Sequence, residues 1–172
     1  QAEQTLDDLP FVFIETVKKL HPRVVIMENV EGIIMGNAWK YIQDIYSKFH
    51  EAGYQLYHWL MKSENMGIPQ TRHRVFFIAI CNELCMNPRF LNMAFDYEPV
   101  TYGTIKENDN RPMNQDSILY GVAKQAISSD SSIARTRERI GVKASGFNNV
   151  YVRDNEIMPT LRAKGDMIDV DT

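Results

Sequence analysis

A glutamate set directly behind an unbroken apolar run is costly to place by accident, and Glu28 follows Val24-Val25-Ile26-Met27 in that way. If the run is a strand, Glu28 stands at its carboxyl end, the edge where open α/β sheets bind ligands. A carboxyl group there is a candidate for acid-base or hydrogen-bonding chemistry. A solvated strand-end acid would look the same from position alone. The second candidate lies in GIPQTRHR, residues 67–74. In strand geometry Arg72 and Arg74 project from one face, so two permanent cations reach toward one place that suits an anion or carbonyl oxygens. A pair of solvated arginines on an edge strand is the plainer alternative.

Several elements must position these residues. Residues 9–20 put Phe13, Ile14, Val17 and Leu20 on one helical face, with Asp7 and Asp8 as capping candidates and Pro10 in the first turn. His21-Pro22 ends that helix. The apolar run 24–27 then reads as a strand covered on both faces in a parallel sheet. From Asn37 a crossover helix runs through Trp39, Ile42, Ile45, Tyr46 and Phe49 and stops at Ala52-Gly53, where glycine supplies a left-handed cap. Two further strands, 55–62 and 74–81, flank a connection too short for another crossover helix, so an antiparallel pairing is predicted for them. The sum is half of a doubly wound α/β sheet over residues 1–95. Residues 96–172 are polar and turn-rich, as in KENDNRPMNQDS and SSDSS, and predict a loop-rich second region.

The 172 residues are enough for a core, and 44% of them are hydrophobic. Net charge is -3, so there is no global basic field and any nucleic-acid contact must be local. Such a patch exists between Arg135 and Lys164: Arg135, Arg137, Arg139, Lys143, Arg153, Arg162 and Lys164 stand against Glu138, Asp154 and Glu156. Phe147, Tyr151 and Gly146 interleave with them. Phosphate contacts from a groove-facing loop are one reading, and a solvated charge-mixed surface is the other. Cys81 and Cys85 are the only cysteines and have no secretory hydrophobic region ahead of them, which suits a reducing cytoplasm. The histidines, His21, His50, His58 and His73, nowhere pair with cysteine at zinc spacing, so no metal is expected. No apolar run approaches the roughly 20 residues of a membrane span, and no membrane partner is expected.

Taken in order, HPRVVIMENVEGI and then MGIPQTRHRVFFIAI resemble the Glu-Asn-Val and Gln-x-Arg-x-Arg motifs of the DNA cytosine-5 methyltransferases. The resemblance covers residues 9–82. Beyond them, NEIMPTLRAKGD is similar to the stretch that closes the target-recognition region of that family. It implies the C-terminal half of a Rossmann-like, S-adenosylmethionine-dependent methyltransferase sheet, with one parallel strand plus an antiparallel pair, followed by part of a target-recognition region. In that family a cysteine adds to carbon 6 of a flipped cytosine, and a carboxyl group protonates ring nitrogen 3 and bonds the exocyclic amine. Glu28 matches that carboxyl group, and a neighbouring apolar strand would raise its pKa. Arg74 matches the arginine facing the cytosine carbonyl oxygen. Arg72 and Gln70 match its supports, and Asn29 matches the residue that anchors the cysteine loop. Arg135, Arg137, Arg139, Lys143, Arg162 and Lys164 become the expected contacts to duplex DNA.

The departures carry expectations of their own. The family's Pro-Cys nucleophile lies upstream of Glu-Asn-Val, whereas both cysteines here lie downstream. No glycine-rich turn for S-adenosylmethionine precedes residue 23, and the chain ends before the family's last helices. The chain is therefore expected to be inactive alone, as a fragment that needs its N-terminal catalytic segment. One alternative is a non-catalytic DNA-binding or split-enzyme subunit, and a second is a different Rossmann-type methyltransferase or nucleotide binder. A bare edge on the Glu28 strand predicts self-association across it.

Overall fold

The computed structural model describes residues 8–107, 113–142, 149–160 and 167–170. The chain divides into two compact units, one of residues 1–61 with 73–94 and one of residues 62–72 with 95–172.

In the first unit, helix α1 spans Leu9–Leu20, with Pro10 in its first turn and Ile14 and Val17 buried. Asp8 occupies the N-cap but its side chain makes no capping bond. His21 closes the helix in the left-handed conformation at φ 46°, its N–H donating to the Val17 carbonyl. Strand β1 follows (Val24–Val30), then 3₁₀ turns at Glu31–Ile34 and Gly36–Ala38. Helix α2 (Trp39–Glu51) buries Ile42, Ile45 and Phe49, and Gly53 at φ 86° provides the left-handed exit expected of it. Strand β2 is Tyr54–Lys62. The two-residue strand β3 (Gln70–Thr71) precedes β4 (His73–Cys81).

The main sheet has the order β1-β4-β2. Here the structure corrects the sequence: β1 runs antiparallel to β4, from Val24 opposite Ile80 to Val30 opposite Arg74. It is an edge strand, and its residues alternate. Val25 and Met27 are buried while Val24 and Ile26 are 49% and 61% exposed. An unbroken apolar run predicts cover on both faces, but α1 and α2 pack on the Val25 and Met27 face alone. That core joins Ile14, Val17, Ile42, Ile45 and Phe49 to Val75, Phe77 and Ala79 of β4. Burying several full aliphatic or aromatic side chains, at roughly 1.5–3 kcal/mol each, makes this face the main source of stability in the unit.

The second unit is more ordered than its composition suggests. It contains α3 (Tyr102–Ile105), α4 (Ile118–Ala123), α5 (Ile133–Arg139), β5 (Val150–Val152), β6 (Met158–Pro159) and β7 (Met167–Asp169). Its core is Val122, Ile133, Tyr151 and Ile168. The ladders are short: β5 runs parallel to β7, and β3 runs parallel to β6, with Gln70 opposite Met158. That pairing assigns residues 62–72 to this unit. Serine caps start two of the short helices: Ser117 accepts from Tyr120 N–H, and Ser132 from Arg135 N–H. Gly103 lies so close to Asp154 that an added Cβ would stand 2.9 Å from its carbonyl oxygen.

Candidate active site

The ladder of β1 and β4 decides where the candidate side chains meet. Glu28 is opposite Phe76, and Arg74 is opposite Val30, two residues further along each strand. Period-two alternation therefore puts Glu28 and Arg74 on one face as diagonal neighbours. Arg74 Nε lies 2.7 Å from Glu28 Oε1. Arg74 Nη1 donates to the His73 carbonyl at 2.7 Å, leaving Nη2 and Glu28 Oε2 for a ligand. Glu28 is 48% exposed, so its surroundings are a guanidinium and open solvent rather than the purely apolar strand expected of it.

Behind this pair is a contact that sequence reading did not single out. His73 Nδ1 lies 3.1 Å from Glu31 Oε2, one register step past the last backbone pairing. Only the register reveals it, because 42 residues separate the partners in the chain. Asn29, one residue past Glu28, bonds locally, its Oδ1 accepting from the Val30 N–H at 2.8 Å.

Gln70 and Arg72 belong to the second unit, and Ser63 organises their backbone. Buried Ser63 accepts from the Arg72 N–H at 2.7 Å and donates to the Gln70 carbonyl, while its own N–H donates to the Arg72 carbonyl. The Gly-Ile-Pro-Gln-Thr-Arg segment is thus clasped by one serine, which no sequence signal marked. The Arg72 side chain is exposed.

The basic patch fares unevenly. Arg135 is open and pairs with Glu138, at 3.2 Å, in the next turn of α5. Arg137, another of the expected phosphate contacts, is buried at 5% exposure. Arg139 turns onto buried Asp130, with Nη2 at 2.9 Å from Oδ2, and also donates to the Gln125 carbonyl. That guanidinium holds the Asp130 carboxyl below the ordinary aspartate range. Thr136 joins the same lock, donating to Asp130 at 2.9 Å and lying 2.9 Å from the Tyr151 hydroxyl, whose pKa burial raises. Arg153 holds the Ile127 and Asp130 carbonyls. Amphipathic spacing on a seven-residue helix did not separate the arginine that faces solvent from those that close the core. Lys143, Arg162 and Lys164, with Gly146 and Phe147, lie outside the described residues.

Neither cysteine stands near Glu28. Cys81 is at the other end of β4 from Arg74, about 23 Å away at the usual strand rise of roughly 3.3 Å per residue. Cys85 lies beyond it, exposed and in the left-handed conformation. Among the described residues no group of three or more potential metal ligands is found, and no helix is long and apolar enough to cross a membrane.

A small sheet with helices packed on one face, and a carboxylate and a guanidinium joined across two of its strands, makes the first unit an α/β one. The chain's fold is shared with a DNA modification methyltransferase encoded within an E. coli prophage, at a TM-score of 0.56 and 17% identity over 92% of this chain and 58% of that one. Residues 1–167 match the C-5 cytosine-specific DNA methylase family, and the chain belongs to that family. It is 23% identical to the type II methyltransferase M.FnuDI of Fusobacterium nucleatum over 86% of this chain and 41% of that protein. With M.NgoFVII of Neisseria gonorrhoeae it shares 29% identity over 76% of its own length and 31% of the relative's. The chain thus spans less than half the length of these curated relatives.

Proposed function

We propose that this chain supplies the two groups that grip cytosine in a DNA cytosine-5 methyltransferase of the restriction-modification kind. The observation that carries the reading is the 2.7 Å contact between Glu28 and Arg74 at the end of β1. The free oxygen of Glu28 reaches ring nitrogen 3 and the exocyclic amine of a flipped cytosine, and Nη2 of Arg74 reaches the adjacent carbonyl oxygen. Those atoms are neighbours on one edge of the ring, so the pair need not separate to hold both. Protonation at nitrogen 3 stabilises the enamine formed when a thiolate adds to carbon 6, and the guanidinium stabilises charge building on the carbonyl oxygen. A base that lacks the amine, as thymine does, leaves the carboxyl group unpaired and is rejected.

The thiolate comes from outside these residues, since both cysteines lie far from Glu28. The methyl donor is S-adenosylmethionine. It does not fit the residues present: β1 is preceded by no glycine at all, and the first is Gly32. Its site, like the nucleophile, belongs to a separate segment of the whole enzyme, and Asn29 faces the loop that carries the cysteine. Duplex DNA is the substrate, with Arg72 and Gln70 steadying its backbone or the nucleophile loop and Arg135 supplying a phosphate contact.

The experiment is transfer of labelled methyl from S-adenosylmethionine to a cytosine-containing duplex. The chain alone gives none; mixing with a segment that carries the Pro-Cys motif restores it; Glu28→Gln in the mixture abolishes it. Equal transfer by Glu28→Gln would sink the assignment of Glu28. Duplex binding with no transfer in the mixture would favour a non-catalytic subunit.

A further inference from the structure

We propose that His73 and Glu31 are positioning residues for Glu28 and Arg74, acting through a four-residue ring; this role in catalysis rests on the methylase reading above. The ring is closed by observed contacts. Arg74 Nε pairs with Glu28 Oε1 at 2.7 Å, Arg74 Nη1 donates to the His73 carbonyl at 2.7 Å, and His73 Nδ1 lies 3.1 Å from Glu31 Oε2. Two residues of chain, Val30 and Asn29, link Glu31 back to Glu28.

Geometry explains why the ring is needed. Backbone pairing of β1 with β4 stops at Val30 opposite Arg74, and β1 passes into a 3₁₀ turn at Glu31. A strand that ends there, on a sheet edge, has no further ladder bond to fix the direction of its last residues. The 31–73 side-chain contact adds one more rung in the same register. Neighbouring strand residues point to opposite faces, so Arg74 holds β1 from the Glu28 side while His73 holds it from the other. The His73 carbonyl also uses the Arg74 Nη1 hydrogen, which sets the angle of the guanidinium that Glu28 meets. Moving His73 therefore moves both proposed base-facing groups.

The test is solvent exchange of the Arg74 Nε–H in the ¹⁵N-labelled chain, with the resonance assigned by its loss in Arg74→Lys. Glu31→Gln and His73→Ala should each speed that exchange about fivefold, the scale of one net hydrogen bond. The double variant should do no more than either single, since both open the same arm of the ring. His73→Gln keeps a donor for Glu31 and should restore most of the slow exchange, which a packing role alone would not do. Unchanged exchange in the singles, or singles that multiply in the double, would overturn the ring. No DNA or methyl donor is present, so failure of the methylase reading leaves this result untouched. In the assembled enzyme the same variants should lower kcat while KM for DNA holds, and a rise in KM alone would overturn the positioning role.

Discussion

Replacing Gly103 by alanine sets two opposing effects against each other. Gly103 lies in α3, where alanine is favoured by about 1 kcal/mol over glycine for helix propensity. Against this, the new Cβ would stand 2.9 Å from the Asp154 carbonyl oxygen, 2.9 Å from its Cβ and 3.1 Å from its Cα. Backbone atoms at that distance cannot swing away as a flexible side chain would, so α3 must back off from the 153–156 turn. That movement strains the Gly103 N–H bond to the Asp154 carbonyl at 2.9 Å and the Tyr102 N–H bond to the Glu156 carbonyl at 2.8 Å. Two hydrogen bonds at about 1 kcal/mol each, with overpacking of about 1–3 kcal/mol, outweigh the propensity gain. The expected net loss is about 2 kcal/mol, confined to the second unit. Hydrogen exchange at the Tyr102 and Gly103 amides should accelerate on the order of thirtyfold. Fluorescence of Trp39 and Trp59, both in the first unit, should unfold at the wild-type urea midpoint. An alanine variant with equal or slower amide exchange would show that propensity wins and that the close approach is not what holds α3.

Tyr46→Phe removes the 2.7 Å bond from the tyrosine hydroxyl to His58 Nδ1 and should cost the first unit about 1 kcal/mol at neutral pH. The pH arm has a definite sign. Burial lowers the His58 pKa below the ordinary imidazole value near 6.5, so the unfolded chain binds the proton first. Stability from this site is present above about pH 6.5 and falls as pH drops below it, and the slope should flatten in Tyr46→Phe when followed by urea melts at several pH values. Burial pushes the Tyr46 hydroxyl up to about 12, so it stays a donor throughout that range. Ile26→Lys puts a charge on the exposed face of the edge strand, and sedimentation at high protein concentration should show weaker self-association than wild type. Equal association would place the contact elsewhere. Arg135→Ala should weaken duplex binding and lower the salt slope by about 0.9 per lost phosphate contact, whereas Arg137→Ala should act on folding, read by thermal melting.

Much of the first unit was legible because its signals are local. The spacing of Ile42, Ile45 and Phe49 gives α2, and Gly53 marks its end. His21-Pro22 stops α1, and the Glu28 and Arg74 motifs each sit on the strands expected of them. The partnership of β1 was not legible, since an apolar run does not say whether its neighbour is parallel or whether a second layer covers it. In the second unit the core rests on four residues, Val122, Ile133, Tyr151 and Ile168, scattered across short elements with no sustained period. Charge patterning says little there for a related reason. Arg135, Arg137 and Arg139 are alike in sequence, yet Arg137 is buried, Arg139 pairs with Asp130 and Arg135 stays open.

The long separation between β1 and β4 bears on how a nascent chain acquires this architecture. Partners along their ladder lie between 44 residues apart, for Val30 and Arg74, and 56 apart, for Val24 and Ile80. At ribosomal speeds of roughly 5–20 residues per second, β1 is synthesised roughly 2–9 s before the first residues of its partner. During that interval Val24 to Met27 are an uncharged, strongly β-forming stretch with neither edge satisfied, the kind of segment that recruits other strands. Residues 62–72, which join the other unit, must also be synthesised before the hairpin-like closure can occur. Slow translation through that stretch would lengthen the exposure, and a chaperone that binds extended apolar segments would find a docking point at residues 24–27.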